Sequence, residues 1–530
     1  MKPTHKVGFG IRDADTVRFI LPTAGFVIAG LSSPCVARIK TDCVRATAYF
    51  PLETHEKGDP SGVPFLSVFG NTLKLDFRWN KNLNNYNMLV VGGSGRGKSV
   101  FTNHVLQQHL NQKNIVFLFD KGGSYEYLVH SNAGQYIDTA QEENISFSPF
   151  QIYHAEGQWV FEPSPAHSKT ERETIQYETA KVMRILTQIY AEENQQSQGL
   201  SMSEQNQLYN LLRAYYQMLN QHTETPSMTG FYVFCRKQST AQELGRNDDF
   251  YGSLPFKKFL LALEMFVEEN PYCAKGKEHY LLNARQKKSL VNHSIVAIDL
   301  QAVSTKNPII YRLCMTLFLD AVQYTVENMP DNIFKAIVID EGIDMFVGGG
   351  RESEFIGTLA RKVRKHGGGL TLIIQHLKIF NTIPANIAGD LEENLDIKVV
   401  LGLGSDDPDA ANILTEKLKM NADDVQKILT LDPSNKQGRE YFVKMGAQGY
   451  LVRLKLPNSL LIMYSTTGEM RAIKRALYDF YDGDTQAVVR KIESWQRKYR
   501  HEDEKTQYRK MFEELEKIQL YRSEEHTSEL

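Results

Sequence analysis

The sequence predicts an α/β protein in which a mostly parallel β-sheet is covered by helices and interrupted by an all-α insertion. Three observations predict it. Short apolar runs without alternation, "MLVVG", "NIVFLFD", "SIVAIDL", "KAIVIDE", "LTLIIQ" and "IKVVLGL", read as strands covered on both faces. From Met88 to Asp120 the order is strand, glycine loop, helix, strand, which a parallel βαβ unit requires. Between Ser168 and about Leu290 the apolar pattern changes to helical periodicity.

The bulk numbers fit that class. The chain has 530 residues, 42% apolar and 23% charged, as ordinary globular proteins do. Its formal net charge is −2, so any basic surface for nucleic acid must be local. The cysteines, Cys35, Cys43, Cys235, Cys273 and Cys314, lie far apart without C-x-x-C spacing, which argues against a zinc site or a disulfide framework and for reduced thiols. The longest apolar run, "FILPTAGFVIAGL" from Phe19, contains Pro22 and falls short of the ~18 residues of a membrane span. No cleavable signal is read at the N-terminus.

In order along the chain, residues 1–80 hold short apolar runs broken by Pro and Gly, read as strands and loops without chemistry. Residues 81–167 form the first part of the α/β domain, with the helix "KSVFTNHVLQQHL" after the glycine loop. Residues 168–290 are the helical insertion. One stripe there runs through Val182, Ile185, Leu186 and Ile189, and another through Leu208, Leu211, Leu212, Tyr215, Met218 and Leu219 behind a capping box of Ser201 and Glu204. Residues 291–483 return to strands, which include "GYLVRLKL" from Gly449 and "LLIMYS" from Leu460. Residues 484–521 read as charged C-terminal helices. Residues 522–530, "RSEEHTSEL", resemble a translated sequencing adapter and are set aside as a non-native scar.

The chemistry concentrates in the glycine loop. Gly92-Gly93-Ser94-Gly95-Arg96-Gly97-Lys98-Ser99, continued by Val100, fits G-x-x-x-x-G-K-[ST] at every fixed position. Gly92, Gly95 and Gly97 allow the tight turn that aims successive N–H groups at a β-phosphate on a helix N-terminus. Lys98 brings positive charge to the β and γ oxygens, and the Ser99 hydroxyl can ligate Mg²⁺. Such a loop needs an acidic partner. The run "KAIVIDE" delivers Asp340 and Glu341 at a strand end, where the first can hold the metal and the second can polarise an attacking water. Gln375 ends the next strand, within reach of a γ-phosphate or the lytic water. Asp120 ends the strand after the loop helix and can support that water or a loop. In "ARKVRKHGGG" the cations Arg361, Lys362, Arg364 and Lys365 close a helix that Gly367 to Gly369 stop, and Arg361 or Arg364 is a candidate arginine finger; Arg453 and Arg471 are weaker ones. Neither G-x-S-x-G nor H-E-x-x-H occurs.

With those residues in place, "NYNMLVVGGSGRGKS", "FLFDKGGSYEYL", "AIVIDEGIDMF", "ARKVRKHGGGLTLIIQ" and "YSTTGEMRAIK" together resemble the VirB/TraC family of type IV secretion and conjugation ATPases, most closely its TraC branch, over about Gly70 to Gly483. The resemblance implies a RecA-like P-loop NTPase domain with an inserted all-α subdomain. It implies a homo-oligomer, a hexamer, at the cytoplasmic face of the bacterial inner membrane, docked on inner-membrane secretion components. It also implies hydrolysis of ATP with Mg²⁺ to power pilus biogenesis and substrate transfer. By motif, Lys98 and Ser99 bind nucleotide and magnesium, Asp340 and Glu341 are the metal-linked and catalytic carboxylates, Gln375 is the sensor, and Arg361 or Arg364 acts in trans. Relatives carry a long N-terminal docking domain, of which residues 1–80 read as a remnant. Ser148-Pro149-Phe150 stands where relatives often have Asn-Pro-Phe, and "GIDMFVGGG" after the acids is unusual. The alternative reading is a DNA-translocating ATPase of the coupling-protein or FtsK/HerA type, with DNA as a partner; a nucleotide-binding scaffold without turnover is opposed by the intact Lys98, Asp340 and Glu341.

Overall fold

The computed structural model describes residues 58–67, 70–80, 83–193, 200–222, 224–243, 256–285, 293–306, 308–340, 359–360, 362–381, 389, 393–402, 409–432 and 438–528, with four short strands before residue 42. An eleven-stranded sheet forms its centre. In chain order its strands are β1 (Val63–Ser67), β2 (Thr72–Leu75), β3 (Met88–Val91), β4 (Ile115–Asp120), β5 (Gln135–Asp138) and β6 (Ile295–Asp299). They continue as β7 (Lys335–Asp340), β8 (Gly368–Ile374), β9 (Ile397–Leu401), β10 (Arg439–Met445) and β11 (Gln448–Leu454). In space the order is β2-β1-β11-β10-β9-β3-β8-β7-β4-β6-β5. From β9 through β5 all neighbours are parallel, and β10, β11, β1 and β2 extend the sheet antiparallel beyond β9.

The continuous apolar runs become strands because both faces are covered, so alternate side chains enter two different cores. Leu89, Val91, Phe117, Phe119, Ile337 and Ile339 face the core shared with the insertion. Val90, Val116, Leu118 and Val338 face the other core, with Phe101, Val105 and Leu106 of helix α1 (Lys98–Asn111). After the short α2 (Glu126–Ser131), the insertion contributes α3 (Lys169–Glu193), α4 (Met202–His222), α5 (Met228–Glu243) and α6 (Phe256–Leu263). The Ser201–Glu204 box forms as the spacing predicts: the Ser201 amide donates to Glu204 at 2.6 Å and the Glu204 amide to Ser201 Oγ at 3.4 Å. Ser168 and Glu171 make a second such box at the head of α3.

Helices α7 (Gln301–Lys306) and α8 (Pro308–Asn328) follow β6. By length and composition α8 could cross a membrane, although Arg312 and Asp320 interrupt its apolar run, and 67% of its apolar window is buried inside the protein. Its Asp320, fully buried, pairs with Arg184 of α3, and the Tyr177 hydroxyl donates to the Asp320 carbonyl. Helices α9 (Ala410–Glu416) and α10 (Ala422–Leu429) precede β10. After β11 come α11 (Asn458–Tyr464), α12 (Gly468–Phe480), α13 (Thr485–Lys498) and α14 (Glu504–Ser528), which share a third core around Ile473, Leu477, Ile492 and Trp495.

Several expectations are corrected. The run from Leu460 is helix α11 and not a strand: Ile462 and Tyr464 are buried while Leu461 is 44% exposed, so one face of a short helix is used. Strands β1 and β2, assigned to a separate N-terminal segment ending at residue 80, belong to the main sheet, β1 beside β11 and β2 at the edge. Strands β5 and β10 form where the sequence carries no clear strand pattern. In β5 only Ile137 is a buried apolar residue, and β10 mixes Arg439, Glu440 and Lys444 among its apolar positions. Gly367 alone, at φ +67°, stops the helical turn 362–365. Gly368 and Gly369 instead lie in β8, where a Cβ would fall 2.6 Å from the Lys335 carbonyl oxygen and 2.3 Å from that of Tyr86.

Candidate active site

The phosphate loop joins β3 to α1 at the carboxyl end of the parallel strands. Gly95 and Gly97 adopt φ +71° and +100°, in the left-handed region that glycine tolerates. Gly92 passes so near β9 that a Cβ there would lie 2.7 Å from Leu401 Cβ. Among the described residues no side chain caps α1, whose N-cap is Gly97, and no acidic residue stands in its first turn. Its N-terminal amides and dipole therefore present an anion site. The Lys98 ammonium turns back over the loop and donates to the carbonyls of Gly92 (2.7 Å) and Gly93 (3.2 Å). Ser94, Arg96 and Val100 complete the loop, with the Arg96 amide bonded to the Gly93 carbonyl at 3.3 Å.

Strand β8 lies between β3 and β7, so two strand spacings, about 10 Å, separate the loop strand from the strand of Asp340. Ile374 is in register with Val91, and its carbonyl accepts from the Gly92 amide at 3.3 Å. Gln375 thus leaves β8 between the loop and Asp340. Asp340 pairs in register with Ile373 and accepts from the Tyr125 hydroxyl at 2.9 Å. Lys98, Ser99, Gln375 and Asp340 share one rim of the sheet. Glu341 and Arg361 lie outside the described residues.

Arg364 is exposed and belongs to a different place. It precedes β8, whose seven residues span about 20 Å to the phosphate-loop rim. It stands at the opposite rim and does not join the other site residues within its own chain. Neighbouring Lys362 pairs with Glu327 at 3.2 Å.

The site contains more than the motifs predict. Asp120, Asp299 and Asp138 end β4, β6 and β5 in one register row beside Asp340. Asp120 is 1% exposed, and burial, with Asp340 and Asp299 nearby, raises its carboxyl well above the ordinary range. The Tyr125 amide donates to one Asp120 oxygen at 3.3 Å, and the other has no partner among the described residues. Tyr136 donates to Asp299 at 2.8 Å. On the loop's other side Arg439, the first residue of β10, donates to the Gly95 carbonyl at 2.7 Å. No sequence signal marks Arg439, because β10 meets the loop only through a long-range antiparallel addition to the sheet.

Two observations now coincide: a glycine loop that leads into the uncapped N-terminus of α1, and an acidic strand end on the same rim with one strand between. A family model, the TraG P-loop domain, matches residues 72–494. The chain belongs to that family. Its members share the P-loop NTPase fold described above, and the solved VirB4 of Thermoanaerobacter pseudethanolicus is similar to it, at 14% identity, with a TM-score of 0.55 over 76% of this chain and 99% of that one. Protein TraC of Escherichia coli (strain K12) is 21% identical over 308 residues, 58% of this chain. The match spans 31% of that protein's length. The conjugative coupling protein TrwB, solved with ADP and Mg²⁺, is 16% identical, with a TM-score of 0.44 over 74% of this chain and 89% of that one.

The donor set suits Mg²⁺. Ser99 Oγ has no hydrogen-bond partner among the described residues, and the Asp340 carboxylate is half-buried at the same rim. One hydroxyl and one carboxylate fit a small cation that keeps several waters.

Proposed function

We propose that this chain is the ATP-hydrolysing motor of a bacterial type IV secretion or conjugation apparatus, powering pilus assembly and substrate transfer. The observation that carries the reading is the common rim where the adjacent parallel strands β3, β8 and β7 end, with Lys98 and Ser99 opening the helix after β3, Gln375 following β8 and Asp340 ending β7. The likeness to VirB4 and TraC supports the biological setting.

In this reading the α1 amides and Lys98 take the β and γ phosphates, with the ammonium exchanging loop carbonyls for phosphate oxygens. Ser99 and Asp340 hold Mg²⁺, which when bound neutralises charge on those oxygens. Glu341 polarises the attacking water and Gln375 senses the γ-phosphate. The protein works as a homo-oligomer, a hexamer, at the cytoplasmic face of the inner membrane against inner-membrane components, and Arg361 or Arg364 reaches the site of a neighbouring subunit.

Steady-state ATPase assays test this. Lys98→Ala and Glu341→Gln are expected to lower turnover by 10²-fold or more, the second with ATP binding retained. Full turnover in either variant would reject the assignment. The same assay with added double-stranded DNA separates the two motor types: large, salt-sensitive stimulation would replace this reading with a DNA translocase.

A further inference from the structure

Strand β10 lays two side chains beneath the phosphate loop, two residues apart and therefore on one face of the strand. Tyr441 is fully buried, its ring 5.2 Å from that of Phe101 in α1, and its hydroxyl has no hydrogen-bond partner among the described residues. Arg439 is exposed and donates from Nη1 to the Gly95 carbonyl at 2.7 Å. Both crowd Gly97: a Cβ there would lie 2.8 Å from Arg439 Nη1, 2.9 Å from Arg439 Cδ and 3.3 Å from the Tyr441 hydroxyl.

We infer that Arg439 is a positioning residue of the nucleotide site, holding the Gly95 carbonyl out of the space that phosphates would take, while the Arg96 amide of the same peptide bonds the Gly93 carbonyl at 3.3 Å within the loop. The inference rests on the phosphate-loop reading above. The physical need is specific to a glycine loop. Gly95 sits at φ +71° with no Cβ, so little steric resistance keeps its peptide from rotating, and a flipped peptide would aim a carbonyl oxygen at a phosphate. A guanidinium bonded to that carbonyl removes the flipped state from competition. It also polarises the same peptide, strengthening the Arg96 N–H that closes the loop on the Gly93 carbonyl. Because Arg439 touches the loop and not the reacting atoms, it acts equally on the ground and transition states. Its loss should appear in KM and not in kcat.

The test compares wild type with Arg439→Ala, Arg439→Lys, Tyr441→Phe and Lys98→Ala, measuring Mg²⁺-ATPase kinetics and the ATP-induced rise in melting temperature. Arg439→Ala is expected to raise the KM for ATP about tenfold with kcat within about twofold, and to shrink the ATP-induced rise while the ATP-free melting temperature is kept. Arg439→Lys, which keeps a charged donor, should recover most of the affinity, and Tyr441→Phe should match wild type in KM. An Arg439→Ala protein with unchanged KM and an unchanged ATP-induced rise overturns the inference. So does one whose only defect is a lower ATP-free melting temperature. If Lys98→Ala is as active as wild type, the active-site reading itself fails. If Lys98→Ala is inactive and Arg439→Ala is normal, only the role of Arg439 fails.

Discussion

At Gly97 the backbone stands at φ +100° and the Arg439 side chain occupies the place a Cβ would need. Gly97→Ala therefore combines left-handed strain of about 1 to 3 kcal/mol with displacement of Arg439 from the loop. The expected result is a protein that folds but binds nucleotide at least about tenfold more weakly, read by titration with a fluorescent ATP analogue. Undiminished affinity would show that the loop tolerates the shift. The glycines, Lys98 and Ser99 were legible in the sequence because the loop's chemistry is local, each letter serving its neighbours within eight residues. Asp120 was legible only as a strand end. That its carboxyl is buried beside Asp340 and Asp299, and held well above the ordinary range, follows from the order of strands β7, β4 and β6.

Among elements, helix α11 depends on a partner that its own sequence does not contain. Lys474 of α12 donates to the carbonyls of Met463 and Ser465, at 2.9 and 2.8 Å, and so caps the C-terminal end of α11. Desolvation pushes the Lys474 ammonium down to about 7; the Glu126 carboxylate opposes the shift and Arg471 adds to it. A lysine whose folded-state value lies below its ordinary one contributes stability that is complete above the ordinary value, near 10.5, and is lost as pH falls through about 7. Denaturant unfolding should thus give a larger free energy at pH 9 than at pH 6.5, with a slope from this residue of at most about 1.4 kcal/mol per pH unit. Lys474→Met should flatten that dependence; an identical slope in the variant would assign it to other groups. Four apolar residues in a row from Leu460 suited a buried strand as well as a short helix, and the cap and the packing against α12 and α13 decided between them. The insertion helices α3 and α4 were readable because long amphipathic stripes and capping boxes repeat the same instruction many times.

On the scale of the whole molecule, the parallel half of the sheet carries the glycine loop and the acidic strand ends, and the antiparallel half, β10, β11, β1 and β2, extends it to the edge. Arg364 stands at the far rim from its own chain's phosphate loop, so an effect on hydrolysis must come through an assembly. Arg364→Ala is expected to lower turnover of the oligomer at least about tenfold. Mixing it with Lys98→Ala subunits should restore activity beyond the sum of the two, because an intact loop and an intact arginine can then meet across an interface. Strictly additive activity in every mixture would remove Arg364 from that role.

Taken alone, the chain's order of residues determined the buried strands, the phosphate loop and the acid at the end of β7, because each is written in a contiguous stretch whose periodicity or spacing satisfies its own physical requirement. Tertiary structure decided which strand ends share a rim, that Arg439 reaches Gly95 from 344 positions away, and that Arg364 does not reach the loop. These are consequences of strand order and direction. Hydrogen bonding between strands depends on which neighbour completes the sheet and buries its faces, and that competition is settled only when the whole chain has folded.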